Sequence, residues 1–176
     1  MNKSIYLIIY IYYMSENLSI KKNTEIESHD GYIKNQNIFS LYFDGISTTN
    51  PGPASYGGVI FISEIISPQK REFACYYKYM GEATNEEAVS KGLLEGLKLA
   101  ISLNIRNLQV FGDSELAIRQ AQCLRKEEIP NLKYVSEIKS LLKQFDNIDF
   151  NHIYEKNNKR ACELTNMILN NELTKK

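Results

Sequence analysis

The sequence predicts an α/β domain: a five-stranded mixed sheet with helices on its faces, in the order βββαβααβα. Three observations predict it. Between residues 38 and 80, three segments rich in β-branched and aromatic residues are joined by short Pro- and Gly-marked turns, as in an antiparallel meander. From residue 85 onward, apolar residues recur at helical spacing. Two short apolar runs, 107–112 and 147–154, alternate with those helices, so the later strands join the sheet through helical crossovers.

The elements follow in order. In residues 38–47, Phe39, Leu41 and Phe43 alternate with Ser40 and Tyr42, the period of a strand. Asp44 continues this strand, where a carboxylate has no structural reason to be, and an acid so placed points to a metal ion. Gly45, a Ser/Thr/Asn run and Pro51-Gly52-Pro53 predict a turn. Residues 55–66 form the second strand, with Tyr56, Val59, Phe61 and Ile65 suited to a pleated face. Pro68 marks a turn, and residues 70–80 make an aromatic-rich third strand. Thr84 with Glu87 three residues on is a capping-box pattern that opens a helix over 85–103, carried by Ala88, Leu93, Leu94, Leu97, Ala100 and Ile101. The strand 107–112 ends at Gly112-Asp113-Ser114, where Ser114 can cap a helix over 115–122. Pro130 breaks the chain, a helix spans 132–145, the last strand 147–154 and the last helix 158–172.

Composition narrows the partners. Hydrophobic residues are 43% of the 176 and charged residues 24%, enough to bury a core. The formal net charge is zero, so a nucleic-acid partner has to be held by a local patch and not by overall charge. Three widely spaced Cys give neither a zinc pattern nor an even disulfide set, which predicts a reduced, intracellular setting, cytoplasmic or nuclear by default. Residues 1–37 form an N-terminal extension ahead of a domain over 38–172. Within it, the apolar run Ile5–Tyr13 falls short of the roughly 20 residues that span a membrane. Three readings of residues 1–13 stay open: an organelle-targeting segment, an extra strand, or an upstream extension with Met14 as the true start. Residues 15–37 read as a polar linker.

Four motifs in this order carry a resemblance. FDGISTTNPGPASYGGVIF resembles the opening of the ribonuclease H type 1 domain, in its plain plant, archaeal and bacterial version. ATNEEAVSKGLLEGLKLA is similar to that family's ATNNEAEYxALLxGLxLA helix. VFGDSELAIRQ resembles its V-x-x-DS-x-L-V-x-x-Q, and NHIYEKNNKRACELTN its HVPRExNxxADxLAN. The resemblance covers about residues 38–170. It implies the ribonuclease H-like fold and metal-dependent endonucleolytic hydrolysis of the RNA strand of RNA/DNA hybrids. It also implies Mg²⁺ or Mn²⁺ as cofactor, since two metals about 3.5–4 Å apart clamp the attacking water and the leaving oxygen of a phosphodiester.

Carried over residue by residue, the resemblance puts Asp44 and Asp113 at two of the family's four catalytic, metal-binding carboxylates. Val89 stands at the position of the family Glu, and Cys162 at that of the last-helix Asp. Glu86, one turn before Val89, is the candidate substitute. Gly45, Ser47, Asn50, Thr84 and Asn85 match positions near the hybrid, although Thr84 and Asn85 read equally well as helix-capping residues. With two carboxylates replaced, hydrolysis is expected to be weakened or lost, leaving a domain that binds RNA/DNA hybrid or structured RNA. The alternative is a fold-only structural or assembly protein within a larger ribonucleoprotein, without nuclease activity.

Overall fold

The structure is a computed structural model that describes residues 37–64, 67–125 and 134–175. Its strands are β1 (Asn37–Ser47), β2 (Gly52–Glu64), β3 (Ser67–Ala83), β4 (Asn107–Gly112) and β5 (Asn147–His152). Its helices are α1 (Asn85–Ser102), α2 (Glu115–Arg125), α3 (Val135–Leu142) and α4 (Lys159–Leu173), the last preceded by a 3-10 turn over Glu155–Asn157. The strands form one sheet in the order β3-β2-β1-β4-β5. β1 and β2, and β2 and β3, pair antiparallel. β1 and β4, and β4 and β5, pair parallel. The sequence-predicted order and mixed sheet are therefore the observed ones.

Strand alternation sends successive side chains to opposite faces, and this divides the core. Leu41 and Phe43 of β1, Ile60 of β2 and Val110 of β4 join Leu93, Leu94 and Leu97 of α1 in the main buried cluster. Tyr42 and Val59 fall on the other face, where Leu164 of α4 packs on Val59 and Cys75. Asp44 shares the parity of Tyr42, so it emerges on the α4 side. α1 begins as its sequence demands: the Thr84 side chain accepts from Glu87 N and the Glu87 carboxylate accepts from Thr84 N, both halves of the capping box.

Several boundaries differ from expectation. β2 starts at Gly52, not residue 55, because Gly52, Pro53 and Ala54 pair with Ala83, Glu82 and Gly81. β3 runs on to Ala83 through Gly81, whose φ of 82° suits glycine and accompanies a register shift between Ala54 and Ser55. Pro68 lies in β3 and not in a turn, beside the Glu64↔Ser67 pair. α2 extends to Arg125, α3 is shorter than predicted, and β5 stops at His152. The extension before Asn37 and the break at Pro130 lie outside the described residues. Among the described residues no helix is long and apolar enough to cross a membrane.

Candidate metal and nucleic-acid site

The site forms at the carboxyl ends of β1 and β4, neighbouring parallel strands, which is where open α/β sheets present their ligand crevice. Asp44 lies near the end of β1, and Asp113 follows Gly112, the last residue of β4. Cys162 arrives from the first turn of α4. One ligand atom from each of Asp44, Asp113 and Cys162 lies within 4.8 Å of the others. Residues 118 positions apart at the extremes are thus joined by strand adjacency and by the packing of α4 across β1 and β2.

Each carboxylate is held by named donors. Asp44 Oδ1 accepts from Gly45 N at 2.7 Å, and Asp44 Oδ2 from Thr165 Oγ1 at 2.7 Å. The Thr165 hydroxyl also stands 2.7 Å from Ala161 O, and its single proton serves one acceptor at a time. Asp113 Oδ1 accepts from Asn158 Nδ2 at 3.1 Å, and the same amide donates to Phe43 O at 2.9 Å. The Cys162 thiol donates to Asp113 Oδ2 at 3.8 Å. His152 Nε2 donates to the Asp113 carbonyl oxygen at 3.2 Å and so braces the backbone, not the carboxylate. Among the described residues neither carboxylate forms an ion pair.

The electrostatics follow from that arrangement. Burial pushes the Asp44 carboxyl above its ordinary value; the Thr165 hydroxyl opposes this and the Asp113 charge adds to it. Burial, then the Asp44 and Asp113 charges, pushes the Cys162 thiol far above its usual range, so without a cation it stays protonated. The two acids repel each other, and among the described residues no Lys or Arg pairs with either.

Val89 contributes no ligand. It is buried in the main core cluster. Its backbone nevertheless runs beside the site: a Cβ added to Gly45 would lie 2.2 Å from Val89 N and 2.2 Å from the Ala88 carbonyl carbon. Only glycine permits α1 and β1 to approach this closely. Glu86, the candidate substitute, is exposed in the first turn of α1 and is not among the ligand atoms that converge.

The residues expected near nucleic acid separate into two sets. Ser47, Asn50, Thr84 and Asn85 form one rim. Ser47 Oγ donates to Ala83 O at 3.0 Å and also bonds Thr49 O, while Asn50 Oδ1 accepts from Asn85 N at 3.1 Å. These bonds tie the β1–β2 turn to the start of α1 and leave the Asn50 and Asn85 side chains at the surface. The Thr84 hydroxyl is committed to the cap. Gly45 is buried against α1 and presents no surface. Sequence reasoning missed Thr165, although a signal existed: Leu164-Thr165-Asn166 stands where the family motif reads Leu-Ala-Asn. It also missed the role of Asn158, and Tyr154, which is 72% exposed and 6.2 Å ring to ring from His152.

A hard divalent ion such as Mg²⁺ takes oxygen ligands in near-octahedral geometry. A pair of them needs more carboxylates than Asp44 and Asp113, and a protonated thiol does not replace one. The donor set present does not fit two Mg²⁺ ions.

This sheet order, with acids converging at the ends of β1 and β4, defines a ribonuclease H-like protein. A profile of the family described as Reverse transcriptase-like matches residues 42–168. The chain belongs to that family, and its domain is of the ribonuclease H type 1 kind. It is 31% identical over 129 residues to Ribonuclease HI of Halobacterium salinarum, covering 73% of this chain and 62% of the relative. The solved RNase H1 from the same archaeon superposes with a TM-score of 0.65 at 28% identity, covering 76% of this chain and 98% of that one. The chain is also 32% identical over 127 residues to a bifunctional protein of Mycobacterium tuberculosis, covering 70% of this chain and only 33% of the relative. LC11-RNase H1, solved in complex with RNA/DNA hybrid, matches with a TM-score of 0.60 at 30% identity, covering 77% of this chain and 99% of that one. The chain thus spans about a third of the mycobacterial relative and under two thirds of the archaeal one.

Proposed function

We propose that residues 38–172 form a domain that binds RNA/DNA hybrids across the rim of Asn50, Asn85 and Ser47, and that its hydrolysis of the RNA strand is weakened or lost. The observation that carries this reading is the composition of the converging trio, two acids and a thiol; Val89, which the motif resemblance aligns with the family Glu, is buried in the core. Hydrolysis through a pair of Mg²⁺ or Mn²⁺ ions needs ligands that Val89 and Cys162 do not supply. Hybrid binding makes smaller demands. Phosphate and 2′-hydroxyl contacts come from polar side chains and backbone N–H groups, and shape selects an A-like helix. The hybrid held by LC11-RNase H1 supports the choice of partner. The cytoplasm or nucleus is the compartment that the reduced cysteines suit, with residues 1–13 as the segment that would redirect the chain to an organelle.

The test is fluorescence anisotropy with a labelled RNA/DNA hybrid, duplex DNA and duplex RNA of one sequence, titrated at rising salt in a chelating buffer. The reading predicts tightest binding to the hybrid, a linear fall of log affinity with log salt, and about tenfold weaker binding for Asn50→Ala with Asn85→Ala. Absence of salt-dependent binding to all three duplexes would leave the fold-only, assembly reading and sink this one.

A further inference from the structure

The converging trio is chemically lopsided, and its imbalance has a consequence. Carboxylate and water ligands suit Mg²⁺ and Mn²⁺, whereas a thiolate selects softer cations of the Zn²⁺, Co²⁺ and Cd²⁺ class. Cys162 is not at the margin of the site. Its sulfur is 3.8 Å from Asp113 Oδ2 and within 4.8 Å of an Asp44 oxygen. Donor atoms around one tetrahedral ion, at metal–oxygen distances of about 2.1 Å and metal–sulfur distances of about 2.3 Å, stand roughly 3.6 Å apart. The Cys162–Asp113 pair is therefore close to the spacing that a single small ion imposes, and Asp44 stands within 4.8 Å of both.

A second observation points the same way. Asn158 is 1% exposed, and its amide points at Asp113, to which Nδ2 donates. Its Oδ1 is buried without a partner among the described residues. A buried acceptor left open costs about 1–3 kcal/mol, and this one belongs to the amide that holds Asp113 beside the trio. The two acids, which form no ion pair among the described residues, supply the matching demand for positive charge.

We infer that Asp44, Asp113 and Cys162 constitute a single-ion site for a thiophilic divalent cation, with Zn²⁺ preferred over Mg²⁺. The inference rests on reading the trio as the remnant of the nuclease metal centre. On binding, the S–H bond of Cys162 breaks, a sulfur–metal bond forms, and the proton leaves to bulk water; no electron is transferred. Two carboxylates and one thiolate leave a fourth tetrahedral position to water, the arrangement of a zinc site with an open position.

The test uses the purified full chain, stripped with chelator and titrated with Co²⁺. The expected result is a saturable thiolate-to-cobalt charge-transfer absorption in the near ultraviolet, at one ion per chain. Zn²⁺ should displace the Co²⁺ at stoichiometric amounts, while Mg²⁺ should bind about 100-fold more weakly or worse. Cys162→Ser should abolish the band, and the Cys75→Ala, Cys123→Ala double variant should keep it. Should Cys162→Ser fail to fold by circular dichroism, Cys162→Asp replaces it, with loss of the band and a gain in Mn²⁺ affinity. A missing band in the natural protein, a band that survives at position 162 without sulfur, or Mg²⁺ competing on equal terms would each overturn the inference. Hybrid anisotropy on the same chelated protein separates the two readings. A band without hybrid binding defeats the proposed function and leaves the metal site standing. Hybrid binding without a band does the reverse.

Discussion

Gly92 offers a prediction in which two physical effects oppose each other. It lies in the middle of α1, where alanine is favoured over glycine by about 1 kcal/mol on helix propensity. Propensity alone therefore predicts that Gly92→Ala stabilises the protein. The structure predicts the opposite. A Cβ at position 92 would lie 2.5 Å from the Asp44 carbonyl oxygen and 3.3 Å from the Asp44 carbonyl carbon. Ordinary contact needs about 1 Å more. The obstacle is strand backbone, which cannot rotate away as a side chain does, and Asp44 is hydrogen-bonded on both carboxylate oxygens. Overpacking of this kind costs about 3 kcal/mol at the upper end of its usual range. Subtracting the propensity gain leaves a net loss of about 2 kcal/mol, or a fall in Tm of roughly 4–8 °C for a chain of this size. Thermal and urea denaturation followed by circular dichroism measure it. The displaced Asp44 should also weaken cation binding. A Gly92→Ala protein more stable than the natural one would refute the close seating of α1 on β1, and with it the placement of Val89 beside the site.

Two further perturbations probe the acids. Asp44→Asn should stabilise the chelated protein at neutral pH by about 1 kcal/mol, as substitutions that relieve a strained functional site commonly do. The sign follows from linkage: because the folded-state value is raised, the folded protein binds more protons through the window just above the ordinary carboxylate value, and stability falls as pH rises through it. The advantage of the Asn variant should thus shrink to nothing below pH 3.8, the ordinary value, and an advantage independent of pH would contradict it. Thr165→Val removes the hydroxyl 2.7 Å from Asp44 Oδ2 at nearly constant volume. It should cost about 1–2 kcal/mol at neutral pH and raise the Asp44 titration further, read by carboxyl NMR, where an unmoved titration would exclude the Thr165 bond.

The fold was legible because its signals are local. Thr84 and Glu87 announce a cap that forms as written, and Phe39, Leu41 and Phe43 announce the buried face of β1. The boundaries that moved did so for non-local reasons. Gly52 and Pro53 look like turn residues, but they are strand because Ala83 and Glu82 lie opposite to pair with them. Pro68 was read as a breaker, and it is tolerated in β3, an edge strand of the sheet, where proline interrupts least. Asp44, Asp113 and Cys162 could be singled out by type and motif. Their meeting within 4.8 Å depends on strand order and on α4 crossing the sheet, which no periodicity encodes. Thr165 and Asn158 escaped because their partners are 121 and 115 residues away, and nothing in a serial reading links a helix threonine to a strand acid. Gly45 shows the converse error: its place in the motif suggested a surface contact, and the structure buries it against α1.

On the proposed function, Val89 and Cys162 are what separate this protein from a competent hybrid nuclease. Val89 runs beside Gly45, one residue from Asp44, so a glutamate there would bring a carboxylate to the site, and an aspartate at 162 would restore the hard oxygen donor. The direct measurement is the initial rate of RNA-strand cleavage in an RNA/DNA hybrid with Mg²⁺, for the natural protein and for Val89→Glu with Cys162→Asp, at matched folding. The double variant should be faster by about 10³-fold, the scale at which transition-state charge stabilisation acts. A natural protein that already cleaves at a rate the double variant does not exceed would contradict it.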